Sequence, residues 1–256
     1  MKRIIFLLLT VSVCAQAAKK PPILSPIPSS VPGITIRNTH VVARGASLIL
    51  RGMAPLSRKD IRQLTDYGIT DVLIFRNDSD GEEEVGVEMG WLKHNRKIAR
   101  KTPIPFPWKE IKEFKSPCEQ LVEALQILKT SLQTPNHNLF FHCTVGEDRT
   151  GLLAGLFRIV FEGASVEDAF QNEMCAHGYS RGDPDKPAPI AQIVDENLTP
   201  IFLKMVELVS RGLISSDHLD PAVCEADPGL DSEFAAQLPA RLESFQCQVL
   251  SLSIGK

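Results

Sequence analysis

The feature that most constrains this chain is a ten-residue segment, His-Cys-Thr-Val-Gly-Glu-Asp-Arg-Thr-Gly, at residues 142–151. It follows the apolar run Leu139–Phe141, which has the length of a buried strand, and leads into an apolar stretch, 149–161, that predicts a central helix. Such a strand-to-helix turn lies beside a helix N-terminus, where free backbone N–H groups point outward. The segment therefore predicts an α/β fold with an anion-binding loop.

The residue types in this loop suit phosphoryl transfer. Cys143 is the candidate nucleophile, because a helix N-terminus and nearby cations favour the reactive thiolate form of a cysteine. Arg149 carries a forked, permanently charged guanidinium that fits two phosphate oxygens. Thr150 is predicted to donate its hydroxyl to the sulfur, and His142 to brace the loop by hydrogen bonding. The predicted phosphate-binding residues are Thr144, Val145, Gly146, Glu147, Asp148 and Arg149.

The segment matches the signature His-Cys-x-x-Gly-x-x-Arg-Ser/Thr-Gly, so the chain resembles the protein tyrosine phosphatase superfamily of cysteine-dependent phosphatases. The turn Arg51-Gly52-x-x-Pro55 and the strand that ends at Arg76 are similar to the dual-specificity branch. The resemblance, over about residues 44–210, implies a mostly parallel sheet flanked by helices. It also implies hydrolysis of phosphomonoesters through a cysteinyl-phosphate intermediate, for which no metal or organic cofactor is needed.

The general acid could come from either of two loops: the loop before the helix that precedes the signature, or the signature itself. Many superfamily members place an aspartate in a loop before the helix that precedes the signature. Here that loop contains no aspartate, and its acidic residues are Glu110 and Glu113. We favour Asp148, inside the signature, as the acid for the leaving oxygen and the base for the attacking water. The structural alternative for Asp148 is a first-turn carboxylate that only binds loop amides.

The N-terminus predicts export from the cytoplasm. Lys2 and Arg3 precede the apolar run 4–13, and Ala15-Gln16-Ala17 completes a signal peptide over residues 1–17. That run is shorter than the roughly 20 residues that span a bilayer, so we expect no membrane attachment after cleavage. The expected location is the periplasm or the exterior. The mature chain would comprise a proline-rich arm at 18–33, a phosphatase domain at 34–211 and a C-terminal extension at 212–256.

Removal of the signal peptide changes the charge and the cysteine count. The formal net charge goes from −3 to −5, and this mild acidity argues against nucleic-acid binding. An odd number of cysteines in an exported protein indicates one free thiol and leaves the pairing of the others open. The five cysteines that remain are Cys118, Cys143, Cys175, Cys224 and Cys247.

Hydrophobic periodicity and capping signals predict the remaining elements. Ser57 with Asp60 resembles a capping box, and Ser116 before Pro117 is predicted to be the N-cap of a long helix. Three prolines predict an irregular stretch over residues 102–108. Strands are expected at 48–50, 72–75, near 98 and at 139–141. Helices are expected at 57–68, 82–94, 116–132, 149–161, 165–176 and 200–210.

The substrate prediction depends on a basic window. Residues 93–115 hold eight basic residues and only two acids, so we expect a basic rim for a small polyanionic substrate, with Arg76 and Lys109 on that rim. The preferred hypothesis is a phytase-like inositol polyphosphate phosphatase, since exported bacterial proteins with a similar signature include such enzymes. The alternative is a phosphotyrosine or dual-specificity phosphatase. A non-catalytic phosphate-binding protein is a distant third, because Cys143 and Arg149 are both present. The oligomeric state stays open.

A zinc site is the remaining class of function. It could be assembled on paper from cysteines and histidines near the signature, but their spacing resembles no compact zinc pattern. The residues in that hypothetical set are His137, His142, Cys143, Cys175 and His177. We therefore predict no metal in the active site.

Overall fold

A computed structural model describes residues 25–77 and 85–247. Its five strands are β1 (His40–Arg44), β2 (Leu48–Gly52), β3 (Asp71–Phe75), β4 (Arg100–Ile104) and β5 (Leu139–His142). They form one sheet in the order β1-β2-β5-β3-β4. The pair β1 and β2 is antiparallel, and the pairs β2–β5, β5–β3 and β3–β4 are parallel. This topology confirms the predicted α/β fold with a mostly parallel sheet.

Helices cover both faces of this sheet. They are α1 (Arg58–Asp66), α2 (Val85–His94), α3 (Lys115–Gln133), α4 (Asp148–Glu162), α5 (Val166–Asp168), α6 (Ala188–Ser210) and α7 (Ser232–Ser244). Side chains alternate along each strand, so Leu139 and Phe141 pack with α3, α4 and α6, and Phe140 packs with α1 and α2. Burial on both faces explains why β3 and β5 read as continuous apolar runs.

The capping predictions have mixed outcomes. Ser57 accepts a hydrogen bond from the Asp60 amide and begins α1 as predicted. The predicted N-cap at Ser116 is wrong, because α3 begins at Lys115 and its N-cap residue, Phe114, makes no side-chain cap hydrogen bond. Pro117 then lies in the first turn of α3. That position is tolerated, since the first four N–H groups of a helix have no intrahelical acceptor.

Two predictions about prolines are wrong. The stretch expected to be irregular from Thr102 begins inside β4, where Pro103 lies opposite Ile74. β4 is an edge strand, and a residue without an N–H is tolerated there. The helix predicted to begin at Pro200 begins at Ala188, because its buried stripe runs through the proline. That stripe comprises Ala191, Val194, Leu198, Ile201, Phe202 and Met205.

The single helix predicted over residues 165–176 is a composite. Ser165 accepts a hydrogen bond from the Asp168 amide at 3.1 Å, which is the predicted cap. The turn α5 continues as a π-helical segment, Ala169–Met174, and then as a 3₁₀ turn, Cys175–His177. The wider π-helical turn presents Glu173 toward the sheet, where it meets Arg51.

The segments on either side of the predicted phosphatase domain pack against it. In the N-terminal arm, Ser25 and Val31 are buried, and the Ile27 carbonyl accepts from the Asn38 amide at 2.8 Å. Two disulfides, Cys118–Cys224 and Cys175–Cys247, link the C-terminal segment covalently to the phosphatase domain. Among the cysteines of the described residues Cys143 alone is free, which confirms the prediction of one unpaired thiol among the five.

The sequence-based predictions for residues 1–17, and for the start of the helix at 82–84, lie outside the described residues. In the part of the chain that is described, no helix is both long enough and apolar enough to cross a bilayer.

We expect the double substitution Cys118→Ala with Cys224→Ala to lower the free energy of unfolding by about 2–4 kcal/mol, because the bridge constrains the unfolded chain over a separation of 106 residues. Urea denaturation under oxidising conditions measures this difference. The folded variant should keep its phosphatase activity, since Cys143 is unchanged. A loss of stability below about 0.5 kcal/mol would contradict the prediction.

Candidate active site

The loop between β5 and α4 depends on Gly146. Its φ angle is +76°, in the left-handed region that favours glycine. A Cβ atom at this position would lie 2.4 Å from the carbonyl carbon and oxygen of Gly52 in β2. The loop can therefore close against the neighbouring strand only because residue 146 has no side chain.

Residues outside the loop donate hydrogen bonds to two of its carbonyl groups. The Gly146 oxygen accepts from Arg51 Nη2 at 2.8 Å and from Asn38 Nδ2 at 3.0 Å. The Thr144 oxygen accepts from the Ala54 amide at 3.1 Å. The C=O and N–H groups of a trans peptide point in opposite directions, so these contacts turn the amides of the same peptides inward. This orientation gives an anion cradle of converging N–H groups.

Arg51 is a functional residue that the sequence marked only as part of a turn. Its side chain is 0% exposed, and Nη1 donates to Glu173 Oε1 at 2.7 Å while Nη2 holds the loop. Burying a guanidinium is costly unless it is paired. Glu173 therefore neutralises a charge that lies directly behind the anion cradle.

Cys143 and Arg149 lie together at this cradle. Cys143 is 2% exposed at the first position of the loop, and Arg149 is 3% exposed in the first turn of α4. Arg149 Nη1 donates to the Phe106 carbonyl at 3.3 Å, and Nη2 donates to Thr144 Oγ1 at 3.2 Å. These bonds fix the guanidinium plane. Thr150 is fully buried, but its hydroxyl makes no hydrogen bond among the described residues, so the predicted bond to the sulfur is not formed here.

His142, Glu88 and Arg76 form a chain of buried polar side chains next to the loop. The His142 ring bonds to the Cys143 carbonyl through Nδ1 at 2.9 Å, as expected for a residue that braces the loop. Its Nε2 lies 2.9 Å from Glu88 Oε1, and Arg76 Nη2 donates to Glu88 Oε2 at 2.9 Å. Arg76, predicted at the substrate rim, is instead 6% exposed and oriented toward Glu88. The reason is that Glu88, which is 1% exposed, needs a buried counter-charge.

Lys186 organises the two acidic residues of the loop. Asp148 Oδ1 accepts from Lys186 Nζ at 2.5 Å and from the Ser180 amide at 2.8 Å, and Lys186 Nζ lies 3.3 Å from Glu147 Oε2. Burial lowers the pKa of Lys186, but Asp148 and Glu147 together outweigh it and hold that pKa above its ordinary value. The role of Asp148 as general acid stays a prediction. In this structure its Oδ1 is committed to an ion pair.

No local sequence pattern marks Lys186, which is 38 positions from Asp148 in the chain. Only the 3₁₀ turns and the loop before α6 bring it to the N-terminus of α4. Burial also raises the pKa of Glu147 to about 7, against the opposing effect of Lys186.

A cleft of about 680 Å³ adjoins the loop on the side of Arg149. Its wall begins at Pro107, next to the carbonyl that Arg149 binds, and Cys143 is not part of its lining. Both alternative acids and two of the eight basic residues of the 93–115 window contribute to this wall. The lining residues are Asn77, Pro107, Lys109, Glu110, Ile111, Lys112, Glu113, Ser116 and Pro117. Among the described residues of the lining, two lysines stand beside two glutamates.

A free cysteine at the start of a loop whose amides face inward, followed by an arginine in the first turn of the next helix, is the arrangement of a cysteine-dependent phosphatase. A family model described as the tyrosine phosphatase family matches residues 31–164, just over half of the 256-residue chain. The chain belongs to the tyrosine phosphatase family and is a cysteine-dependent phosphatase. No curated protein matches it.

Two solved structures are similar to this chain. The core catalytic domain of the PP-IP phosphatase SIW14 from S. cerevisiae is 20% identical, with a TM-score of 0.43, over 70% of this chain and 97% of that one. TpbA from P. aeruginosa is also 20% identical, with a TM-score of 0.46, over 70% of this chain and 95% of that one.

We expect Gly146→Ala to abolish phosphatase activity, because the added Cβ would meet the Gly52 backbone at 2.4 Å and reopen the loop. The measurement is turnover of a small aryl phosphate, with circular dichroism to confirm folding. Gly86→Ala is the matched control, since a Cβ there meets nothing within 4 Å. Normal activity in a folded Gly146→Ala protein would contradict this account of the loop.

We expect Glu147→Gln to change the pH dependence of stability. The folded chain holds the Glu147 proton more tightly than the unfolded chain, so this stabilising contribution is complete below about pH 4.5 and is lost as the pH rises through about 7. Relative to wild type, the free energy of unfolding of the variant should increase by up to about 3 kcal/mol between about pH 5 and about pH 8. Urea denaturation at both pH values measures it. Glu110→Gln, at an exposed position, should follow wild type, and an unchanged pH slope for Glu147→Gln would refute the prediction.

Proposed function

We propose that this phosphatase hydrolyses phosphomonoesters in two steps through a phosphate bound to Cys143. The thiolate forms an S–P bond as the ester P–O bond breaks, and the leaving oxygen takes a proton. Water then attacks phosphorus, the S–P bond breaks, and inorganic phosphate and the thiolate are released. Arg149 and the inward amides of the loop stabilise the charge on the equatorial oxygens in both steps.

The ion pair between Asp148 and Lys186 supports aryl phosphates, such as protein phosphotyrosine, as the substrates. In this structure Asp148 Oδ1 accepts hydrogen bonds from the Lys186 ammonium group and from the Ser180 amide, so this oxygen is already engaged and does not face a leaving group. A tyrosine leaving group has a pKa of about 10, whereas water is near 15.7 and aliphatic alcohols are comparable. The phenolate therefore leaves with much less help from an acid than the alkoxide of an inositol or a serine.

The charge around the cleft supports the same order of substrates. Of the eight bases between residues 93 and 115, only Lys109 and Lys112 line the cleft, and Glu110 and Glu113 line it with them. Lys97 pairs with Asp66, and Lys115 pairs with Glu225, away from the cleft. Among the described lining residues the glutamates offset the lysines, which weakens the attraction for a substrate that carries many phosphates.

Inositol polyphosphates are the second candidate, and one observation favours them. Lys109 and Lys112 both line the cleft, whose wall also includes Pro107, the residue after Phe106. Two ammonium groups there could bind phosphates next to the one being hydrolysed. The sequence ranks this class first, and the distribution of charges in the cleft supports ranking it second.

We also propose that the mature protein works outside the cytoplasm. Two disulfides in a chain of this size are typical of oxidising compartments. The basic and apolar N-terminal residues supply the export signal. The substrates would then be phosphorylated molecules that reach the periplasm or the exterior.

The test is phosphate release from a phosphotyrosine peptide, a phosphoserine peptide and inositol hexakisphosphate. We expect kcat/KM for the phosphotyrosine peptide to exceed the other two at least about tenfold, and Cys143→Ser to abolish all three activities. Asp148→Asn should lower kcat/KM for the phosphotyrosine peptide by less than about tenfold, whereas loss of a general acid costs roughly 10²–10⁴-fold.

Two results would overturn parts of this proposal. Faster turnover of inositol hexakisphosphate would establish the second candidate. A loss of more than about 10²-fold in Asp148→Asn would restore Asp148 as the acid and remove the argument for aryl substrates.

A further inference from the structure

The anion-binding loop, residues 143–149, contains two acidic residues of its own. Glu147 and Asp148 are both buried and stand directly before Arg149. Carboxylates so close to the cradle repel a phosphoryl group that carries two negative charges, and burial reduces the screening of that repulsion by water and salt. Arg149 by itself offsets only one of the two acids. Binding of an anion at this loop therefore requires a further cation.

Lys186 has the position of that cation, and its ammonium group has three acceptors. Its Nζ lies 2.5 Å from Asp148 Oδ1, 2.7 Å from the Gly178 carbonyl oxygen and 3.3 Å from Glu147 Oε2. An ammonium group has three N–H donors and no acceptor, so these three oxygens satisfy it. The side chain is 5% exposed. Lys186 therefore acts on the loop and does not reach the substrate.

The same contacts fix the junction between the loop and α4. Gly178 follows the 3₁₀ turn, and Ser180, two residues later, donates its amide to Asp148 Oδ1 at 2.8 Å. Asp148 is the first residue of α4, and Arg149 is the second. The amides of the first helical turn have no acceptor within the helix and are the groups that bind an anion. Lys186 therefore anchors the residues that carry these amides.

We propose that Lys186 is a positioning residue of the phosphatase, which enables an acidic loop to bind the phosphoryl group by offsetting Asp148 and Glu147 and by holding the start of α4. This inference rests on the proposed mechanism at Cys143. It does not depend on whether the substrate is an aryl phosphate or an inositol phosphate. Its effect is on the affinity for the oxyanion itself, so it extends to anions that carry no ester group.

Asp148 is the acid that Lys186 chiefly offsets. Its oxygen is nearer to Nζ than that of Glu147. Burial also raises the pKa of Glu147 to about 7, so the Glu147 carboxyl is partly neutral near that pH. Removing the charge of Asp148 should therefore remove most of the need for Lys186, which makes these two residues the pair to substitute together.

The test measures oxyanion binding without turnover. The full mature chain carries Cys143→Ser as the parent, and inorganic sulfate, a dianion throughout the neutral pH range, is titrated by calorimetry. We expect Lys186→Met to weaken sulfate binding at least about tenfold. Adding Asp148→Asn to Lys186→Met should restore the affinity to within about threefold of the parent. Circular dichroism confirms that each variant is folded.

The single variant Asp148→Asn separates this role from a merely structural one. It leaves Lys186 with less opposing charge, so sulfate should bind at least about threefold more tightly than in the parent. A lysine that only stabilised the fold would give unchanged or weaker binding in this variant. The comparison of Asp148→Asn, with and without Lys186→Met, also decides the question if Lys186→Met alone does not fold.

Lys97→Met is the matched control. Lys97 also pairs with an acid, Asp66 at 2.9 Å, but it precedes the amino end of β4. The loop follows the carboxyl end of β5, and both strands run parallel to β3, so the control lies at the opposite edge of the sheet. Sulfate binding should be unchanged there.

Three results would overturn the inference. They are unchanged sulfate binding in a folded Lys186→Met protein, a double variant that binds no better than Lys186→Met, and sulfate binding in Asp148→Asn that is no tighter than in the parent. Failure of the parent itself to bind sulfate would instead refute the anion cradle, and with it the proposed mechanism at Cys143.

Discussion

The structure depends on the two hydrogen bonds that hold the Gly146 carbonyl outward. An isolated loop of five residues has no reason to turn all its amides toward one point, since the same N–H groups are better satisfied by water. Arg51 and Asn38 supply donors on the outer side and fix the orientation before any anion binds. A cradle formed in advance needs no reorganisation when charge develops on the transferred phosphoryl group.

This constraint explains the unusual number of buried charges around the site. Arg51 needs Glu173, Glu88 needs Arg76, and both loop acids lie against one lysine, because an isolated ion in the interior costs several kcal/mol. Arg51 with Glu173 and Arg76 with Glu88 pair one cation with one anion, whereas two acids share Lys186. Arg149 is the arginine that lies at the cradle itself. The same pairing engages Asp148, the predicted general acid, with Lys186 in this structure.

Segments far apart in the chain complete the site. Glu173 lies on the π-helical segment, two residues before Cys175, whose disulfide to Cys247 fixes the C-terminal segment. Lys186 lies in the loop before α6, and the N-terminal arm packs against the same region, where Ile27 lies near Gly178. The arm and the C-terminal segment therefore support the active site from behind, and they are more than appendages to the phosphatase domain.

The sequence by itself determined the fold class and indicated one free thiol, and it predicted Cys143 as the nucleophile and Arg149 as the phosphate clamp. These inferences depend on local patterns: a strand, a loop of fixed length and a helix, with cysteines that can be counted. It misplaced the starts of α3 and α6 and the course of β4, where the edge of the sheet and a buried stripe overrode the local effect of proline. Tertiary structure alone decided which buried charges pair. Arg76 pairs with Glu88 and does not lie at the expected rim. Lys186 pairs with Asp148, 38 residues away in the chain, and Arg51 pairs with Glu173, 122 residues away. Such pairs form because the interior tolerates charge only when it is compensated, and the distance between partners along the chain has no part in that requirement.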